Sequence, residues 1–277
     1  KHFGSLDISR GDKHELLGMK IKIDRVNKNI VIDMKEQIQE AFDMFDEELD
    51  GKALTPANKN LFKSYDGECE ELGTKDSDTF HSVTAKLLFI MKRGRPDIET
   101  AVSYLMTRVS KSNTRDWEKL KRCLNFLKGT FNDTRMIGAD SLRDLHVWID
   151  ASHTIHENMR GHTGGAMSMG IGTIHCKSSK QKINTRSTTE SELVGVSEYL
   201  PYPLWQVNFW KEQGYEIRNH YIYQDNESAI KIKKNGRNSC TGNSRHVNIK
   251  YFWVKDCVDN GMVEIKYCPT TLMLSDY

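Results

Sequence analysis

The period of the hydrophobic pattern changes near residue 143, and this change limits the possible folds more than any other feature. Downstream of it, Leu145, Val147 and Ile149 alternate with polar or aromatic residues, which is the two-residue period of a β-strand. The same pattern predicts further strands at 164–170, 173–177, 219–224 and 262–268, and helices at 188–199, 203–213, 226–234 and 245–259. Three early strands followed by alternating helices and strands favour a mixed sheet with helices packed on it.

Upstream of that change the spacing of apolar residues is mostly helical. Residues 14–34 alternate like a β-hairpin with a polar turn at 27–29, and a polar, glycine-containing stretch at 46–78 is expected to be a loop. Helices are predicted at 34–48, 79–92, 97–110 and 114–128, followed by a linker near 129–142. The expected organisation is a β-hairpin segment at 1–33, a mainly helical segment at 34–142 and an α/β domain at 143–277.

Composition narrows the class of partner. The net charge of the 277 residues is only +2, so any contact with nucleic acid has to come from local basic patches. No apolar run approaches the roughly 18 residues that a membrane span needs. The six cysteines include no Cys-x-x-Cys pair, which favours a reducing compartment over a disulfide framework.

Acidic residues stand at element ends in the α/β part. Asp150 ends the first predicted strand, Glu190 opens the first helix, Asp225 follows the fourth strand, and Asp276 lies near the end of the chain. The first three of these positions belong to the same rim of a sheet, where ligands commonly bind. Gathered carboxylates repel one another unless a cation lies among them, and a pair of magnesium ions can bind both reacting oxygens of a phosphodiester. The pattern therefore indicates a metal-dependent nuclease.

Three of these four acids also have a purely structural explanation. Residues 187–190 form a capping box, which accounts for Glu190 by local hydrogen bonding. Asp150 is of the kind that commonly solvates a strand end, and the residues beside Asp225 could simply cap the next helix. Helical periodicity does not choose between Glu190 and Glu192, because both project between apolar neighbours.

Basic and hydroxyl side chains surround the predicted start of the helix at 188. Such residues commonly contact phosphates, although a solvated hairpin edge explains the basic run equally well. The candidate nucleic-acid contacts are Lys177, Lys180, Lys182, Arg186, Ser187, Thr188, Thr189, Asn226 and Arg245.

The run Lys-Gln-Lys-Ile-Asn-Thr-Arg-Ser-Thr-Thr-Glu-Ser-Glu-Leu-Val at 180–194 resembles the ribonuclease H signature of copia-type LTR retrotransposon polyproteins. The segments at 14–19, 95–98 and 117–130 resemble the part of such polyproteins that runs from the end of the reverse transcriptase palm through its thumb and connection. The resemblance implies a ribonuclease H-like mixed five-stranded sheet with flanking helices, preceded by a mainly helical thumb and connection with an N-terminal β-hairpin.

The resemblance also implies an activity and a site. It predicts hydrolysis of the RNA strand of RNA–DNA hybrids with two Mg²⁺ ions, for which Mn²⁺ can substitute. It assigns Glu190, and not Glu192, as the catalytic and metal-binding glutamate, together with Asp150, Asp225 and Asp276. The expected partners are the hybrid and the rest of the polyprotein, with no membrane and no small-molecule cofactor. The expected location is a cytoplasmic virus-like particle, or the nucleus.

The sequence contains no Tyr-x-Asp-Asp polymerase motif, so the polymerase carboxylates are expected upstream of residue 1. The last helix of the ribonuclease H domain is expected to be truncated, which predicts weak activity. Two other hypotheses remain: a non-catalytic nucleic-acid-binding remnant of a decayed retroelement, and a structural connection domain of the same fold.

Overall fold

The computed structural model describes residues 8–227, 229, 230 and 245–275, with the backbone alone for residues 245–251. These residues form two five-stranded sheets with helices packed against them. The predicted helix at 226–234 lies largely outside the described residues, and Asp276 lies outside them as well.

The first sheet is antiparallel throughout and has the strand order β1-β2-β3-β4-β7. Its strands are β1 (Lys13–Leu16), β2 (Met19–Asp24), β3 (Asn29–Asp33), β4 (Arg135–Ala139) and β7 (Gly170–Ile171). Leu17 and Gly18 connect β1 to β2 with φ values of 51° and 71°, as expected where both central residues of a tight hairpin turn are left-handed.

The structure differs from the sequence prediction at 129–142. That segment was expected to be a linker, yet it contains β4, which pairs with β3 on one side and β7 on the other. The first sheet therefore takes strands from both sides of residue 143. The division of the chain into separately folding domains remains a prediction.

The helices of the first half surround one apolar core. They are α1 (Lys35–Asp43), α2 (Thr74–Arg93), α3 (Glu99–Met106), which follows a 3₁₀ turn at Pro96–Ile98, and α4 (Thr114–Gly129). Fully buried side chains from α2, α3 and α4 meet in this core, among them Phe80, Leu105 and Leu124. Helix α2 begins five residues before its predicted start. The prediction missed these residues because the first turn is largely exposed and contains no apolar residue.

The second sheet has the order β10-β9-β5-β6-β8. Its strands are β5 (Asp144–Ser152), β6 (His162–Ser168), β8 (Thr173–Lys180), β9 (Asn219–Gln224) and β10 (Glu264–Tyr267). Strands β5, β6 and β8 are antiparallel, whereas β9 and β10 run parallel to β5. The accompanying helices are α5 (Thr188–Tyr199), α6 (Pro201–Glu212) and α7 (Arg245–Asp259). This arrangement confirms the ribonuclease H-like mixed sheet.

Two glycines allow helix α5 to lie close to the sheet. A Cβ at Gly195 would stand 3.1 Å from the Cβ of Ala151 in β5. A Cβ at Gly165 in β6 would stand 2.3 Å from the ring of Tyr199, which is the largest fully buried side chain. Both contacts restrict the distance and the rotation of α5 relative to β5, and this rotation decides which of its acidic residues faces the sheet edge.

Within the described part of the chain, no helix has the length and apolar character that crossing a membrane requires.

Candidate metal centre

Two aspartates reach the same edge of the second sheet because their strands are parallel neighbours. The paired register of β5 and β9 includes Trp148 opposite Tyr223. Asp150 and Asp225 each follow two residues later, so the two carboxylates lie side by side where β9 ends. This placement is consistent with the prediction that these acids lie at the same rim of the sheet.

Glu192 completes the cluster from helix α5. Carboxylate oxygens of Asp150, Glu192 and Asp225 lie within 4.8 Å of one another. Glu192 is only 5% exposed, whereas the two aspartates are half-buried. Three acids from separate parts of the chain thus converge at one point; two of them, Asp150 and Asp225, belong to the predicted set.

The glutamate in this cluster is not the one that the family resemblance favoured. Glu190 accepts a hydrogen bond from the backbone N–H of Arg186 (2.7 Å), and its own N–H donates to the Ser187 hydroxyl (3.2 Å). The Ser187 hydroxyl therefore caps α5, but the Glu190 carboxylate binds the N–H of Arg186, one residue before the cap, so only half of the predicted capping box is formed. Two residues along an α-helix are about 200° apart around its axis, so Glu190 and Glu192 cannot face the aspartates together. The geometric correction is that Glu192 takes the place expected of Glu190.

Neutral hydrogen-bond donors hold two of the acids. The side-chain amide of Gln224 donates to Glu192 Oε2 at 2.9 Å, and the hydroxyl of Thr270 donates to Asp225 Oδ2 at 2.9 Å. Sequence reasoning assigned no role to either donor. Gln224 could have been noticed, since strand alternation places it on the same face as Ile222, toward helix α5. Thr270 lies in a 3₁₀ turn, and no periodic signal identified it.

The residues fit a hard divalent cation. All three side chains of the cluster offer carboxylate oxygens, the ligands that Mg²⁺, Mn²⁺ and Ca²⁺ prefer. Like charges this close are unfavourable when all are ionised, and a bound cation relieves that repulsion. The fourth predicted ligand, Asp276, lies outside the described residues. Ser275, which precedes it in the chain, lines a cavity of about 50 Å³ together with Asp150.

The predicted nucleic-acid contacts fall into two groups around this edge. Ser187 caps helix α5, Thr188 and Thr189 are its first two residues, and Lys182 and Arg186 are exposed in the preceding segment. Asn226 accepts a hydrogen bond from the backbone N–H of Ala229 at 2.9 Å, and the side chain of Arg245 lies outside the described part.

Lys177 and Lys180 form the second group, on strand β8. Pairing places Gly164 between Asp150 and Ser178, so β8 lies two strands away from the acid at the same height. Lys177 donates to the Tyr202 hydroxyl and stands 4.5 Å from the centre of its ring. Both lysines line a cavity of about 490 Å³ that also includes residues of α2 and α3. The pairing therefore places both lysines on the second strand along the sheet from Asp150.

Sequence comparison identifies known proteins that are similar to this chain. The chain is 26% identical over 269 residues to the retrovirus-related Pol polyprotein from transposon TNT 1-94 of Nicotiana tabacum, which covers 96% of this chain. It is 27% identical over 208 residues to the corresponding polyprotein from transposon RE1 of Arabidopsis thaliana, covering 74% of this chain. The chain is a homologue of retrovirus-related Pol polyproteins of copia-type transposons. The family resemblance that the sequence suggested is thereby confirmed.

The chain aligns with only a small part of the length of each of these Pol polyproteins. The chain spans 20% of the TNT 1-94 polyprotein and 14% of the RE1 polyprotein. No protein-family model matches the chain.

Two solved structures align with this chain, both with TM-scores below 0.5. LC11-RNase H1, isolated from compost, aligns with a TM-score of 0.33 at 12% identity and covers 47% of this chain and 86% of that one. The foamy viral protease-reverse transcriptase in complex with dsDNA aligns with a TM-score of 0.46 at 11% identity, covering 93% of this chain and 45% of that one.

Proposed function

We propose that this chain, a fragment of the reverse transcriptase/ribonuclease H type, hydrolyses the RNA strand of RNA–DNA hybrids. The observation that carries the proposal is the convergence of Asp150, Glu192 and Asp225 within 4.8 Å on a ribonuclease H-like sheet. Homology to transposon Pol polyproteins supports the same class of activity.

In this proposal the three acids hold divalent magnesium, two ions in the full site, with manganese as a substitute. Bound magnesium would neutralise charge on the phosphodiester and lower the pKa of the attacking water. The side chains of the protein keep the carboxylates in place: Gln224 orients Glu192, and Thr270 orients Asp225. Asp276 remains proposed as the fourth acid on the strength of the sequence alone.

Binding of the hybrid is proposed to use the residues around the start of α5. Lys182 and Arg186 are exposed and free to approach phosphates, and the Thr188 hydroxyl is exposed beside them. Lys177, Lys180, Ser187, Thr189, Asn226 and Arg245 complete the proposed contact set. Preference for a hybrid would come from 2′-hydroxyl groups read across a wide minor groove.

The proposed biological context is a larger polyprotein that contains the polymerase, in a cytoplasmic virus-like particle or in the nucleus. The partners are then the hybrid and the rest of that polyprotein.

The test compares cleavage of a labelled RNA–DNA hybrid with cleavage of double-stranded RNA, double-stranded DNA and single-stranded RNA of the same sequence. We expect only the RNA strand of the hybrid to be cut, and only with Mg²⁺ or Mn²⁺ present. Asp150→Asn should abolish cutting. Asp144→Asn, at the opposite end of β5 and bonded to Asn219, is the matched control and should retain it.

Cutting that survives in Asp150→Asn, or in a chelator, would contradict the proposal. Tight hybrid binding without cleavage by the wild-type chain would instead favour the non-catalytic nucleic-acid-binding remnant.

A further inference from the structure

Gln224 is a fully buried polar residue in the middle of the metal centre. Strand alternation in β9 places it with His220 and Ile222 on the face that is covered by helices. An amide buried without hydrogen bonds destabilises the fold, because it loses its bonds to water and gains none in return. A glutamine at this position therefore needs specific partners.

Its side-chain nitrogen has two such partners. One N–H donates to the carbonyl oxygen of Ile149 and the other to Glu192 Oε2, both at 2.9 Å. Ile149 immediately precedes Asp150 in β5, and Gln224 immediately precedes Asp225 in β9. A single amide thus connects the three chain segments that carry the three acids.

The chemistry of the donor matters as much as its position. A lysine or arginine in its place would pair with Glu192 and compete with a metal ion for the carboxylate. Another acid would add to the repulsion among the three carboxylates. An amide donates a hydrogen bond to the charged acceptor, which makes the bond stronger than a neutral one, and it brings no net charge.

From this geometry we infer that Gln224 is the positioning residue of the metal centre, fixing the Glu192 carboxylate relative to Asp150 and Asp225. The inference rests on the proposed function, since it assumes that these acids bind a divalent ion. Gln224 acts through Glu192 and is not itself a ligand.

Gln181 supplies a matched control. It is also a fully buried glutamine, and its side-chain nitrogen also donates two hydrogen bonds, to the Thr163 hydroxyl (3.1 Å) and to the carbonyl oxygen of Ser191 (2.9 Å). It connects β6 to α5 without bonding to any of the three acids. Replacing either glutamine removes two buried hydrogen bonds, but only one replacement releases an acidic side chain.

The test titrates Mn²⁺ into the full chain without nucleic acid, with calorimetry as the readout and urea unfolding measured in parallel. Gln224→Met should weaken Mn²⁺ binding by about 10–100-fold, the usual effect of losing a residue that orients a metal ligand. Gln181→Met should lose similar stability in urea yet keep the wild-type Mn²⁺ affinity. Gln224→Asn, which keeps an amide one methylene too short to reach, should weaken binding in the same direction and serves if the Met variant does not fold.

A double-mutant cycle tests whether Gln224 influences Mn²⁺ affinity through Glu192. In a Glu192→Ala background, Gln224→Met should cause no further loss of Mn²⁺ affinity, because the side chain that it orients is gone. Wild-type affinity in the folded Gln224 variants, or an equal loss that persists without Glu192, would overturn the positioning role alone. Absence of Mn²⁺ binding by the wild-type chain would overturn the metal centre, and the positioning role with it.

Discussion

Two buried acidic sites in this chain are held in opposite ways. In the helical half, Asp116 of α4 is fully buried and accepts hydrogen bonds from Arg108 Nε at 2.8 Å and Lys119 Nζ at 3.3 Å. It also completes a capping box with Asn113. At the sheet edge, Glu192 is nearly as buried, but it faces two aspartates and accepts from a neutral amide.

The difference shows that burial alone does not mark an acid as functional. Asp116 has cationic partners, so its charge is balanced within the fold and its role is structural. Asp150, Glu192 and Asp225 instead bring three carboxylates together, an arrangement that suits the binding of a cation. The presence of further carboxylates, and not the depth of burial, distinguishes the site at the sheet edge.

The largest expected effect tests which glutamate belongs to the metal centre. Glu192→Gln should reduce the rate of hybrid cleavage by more than about 100-fold, because residues that merely support metal ligands already contribute about 10–100-fold. Glu190→Gln should keep most of the activity, since this side chain binds the backbone N–H of Arg186 and lies outside the acidic cluster. Initial rates at saturating Mg²⁺ provide the measurement. The reverse result would restore Glu190 as the catalytic residue.

The next effect concerns the helical half. Asp116→Ala should lower the free energy of unfolding by about 3–5 kcal/mol, because it removes the fully buried carboxylate that Arg108 and Lys119 share and leaves Arg108 paired only with the more exposed Asp66. Urea denaturation measures this change. Calorimetry with Mn²⁺ should show unchanged affinity in the folded variant. A loss of Mn²⁺ affinity there would contradict the separation of the two sites.

At the sheet edge we expect a smaller change in the free energy of unfolding, and an increase where Asp116→Ala causes a decrease. Without metal, Asp225→Asn should raise the free energy of unfolding by about 1–3 kcal/mol, because it removes one of three mutually repelling charges. With saturating Mg²⁺ the ranking should reverse, since the wild-type chain gains more from binding the ion. Thermal melts in chelator and in Mg²⁺ measure both. Destabilisation in chelator would show that the cluster is balanced by some other charge.

The smallest effect is on the pH dependence of the helical half. The hydrogen bond from Arg108 lowers the pKa of Asp66 below its usual value of 3.8. The folded state therefore releases this proton more readily than the unfolded state. The resulting stabilisation is fully present above about pH 3.8 and is lost as the pH falls through the lower folded pKa.

Asp66→Asn should thus lose slightly less stability than the wild-type chain when the pH drops below 3.8. Urea midpoints at several pH values provide the comparison. Identical pH profiles for the two chains would show that Arg108 is satisfied by Asp116 alone.

Much of the fold was predictable because apolar spacing reports directly on buried faces. The strand at 219–224 and the helix at 245–259 occur where the pattern predicted them, and β5 begins within one residue of its predicted start. Strand β4 was missed. It has five residues, carries Gly138, and is defined by pairing with β3, which lies about a hundred residues earlier in the chain.

The candidate site likewise contains residues that the sequence predicted and one residue that it did not. The sequence by itself placed Asp150 near the end of one strand and Asp225 after another, and predicted that both acids lie at one rim of the sheet. The parallel pairing of β5 with β9, which brings them side by side, is seen in the structure. The sequence could not decide the glutamate, because α5 is buried nearly all around from Ser191 to Val196 and has no single apolar face. Only the tertiary structure decided it: the close approach of Gly195 to Ala151, and of Tyr199 to Gly165, sets the rotation of the helix. That rotation turns Glu192 toward the aspartates and leaves Glu190 bonded to the backbone N–H of Arg186, since two positions along a helix point in nearly opposite directions.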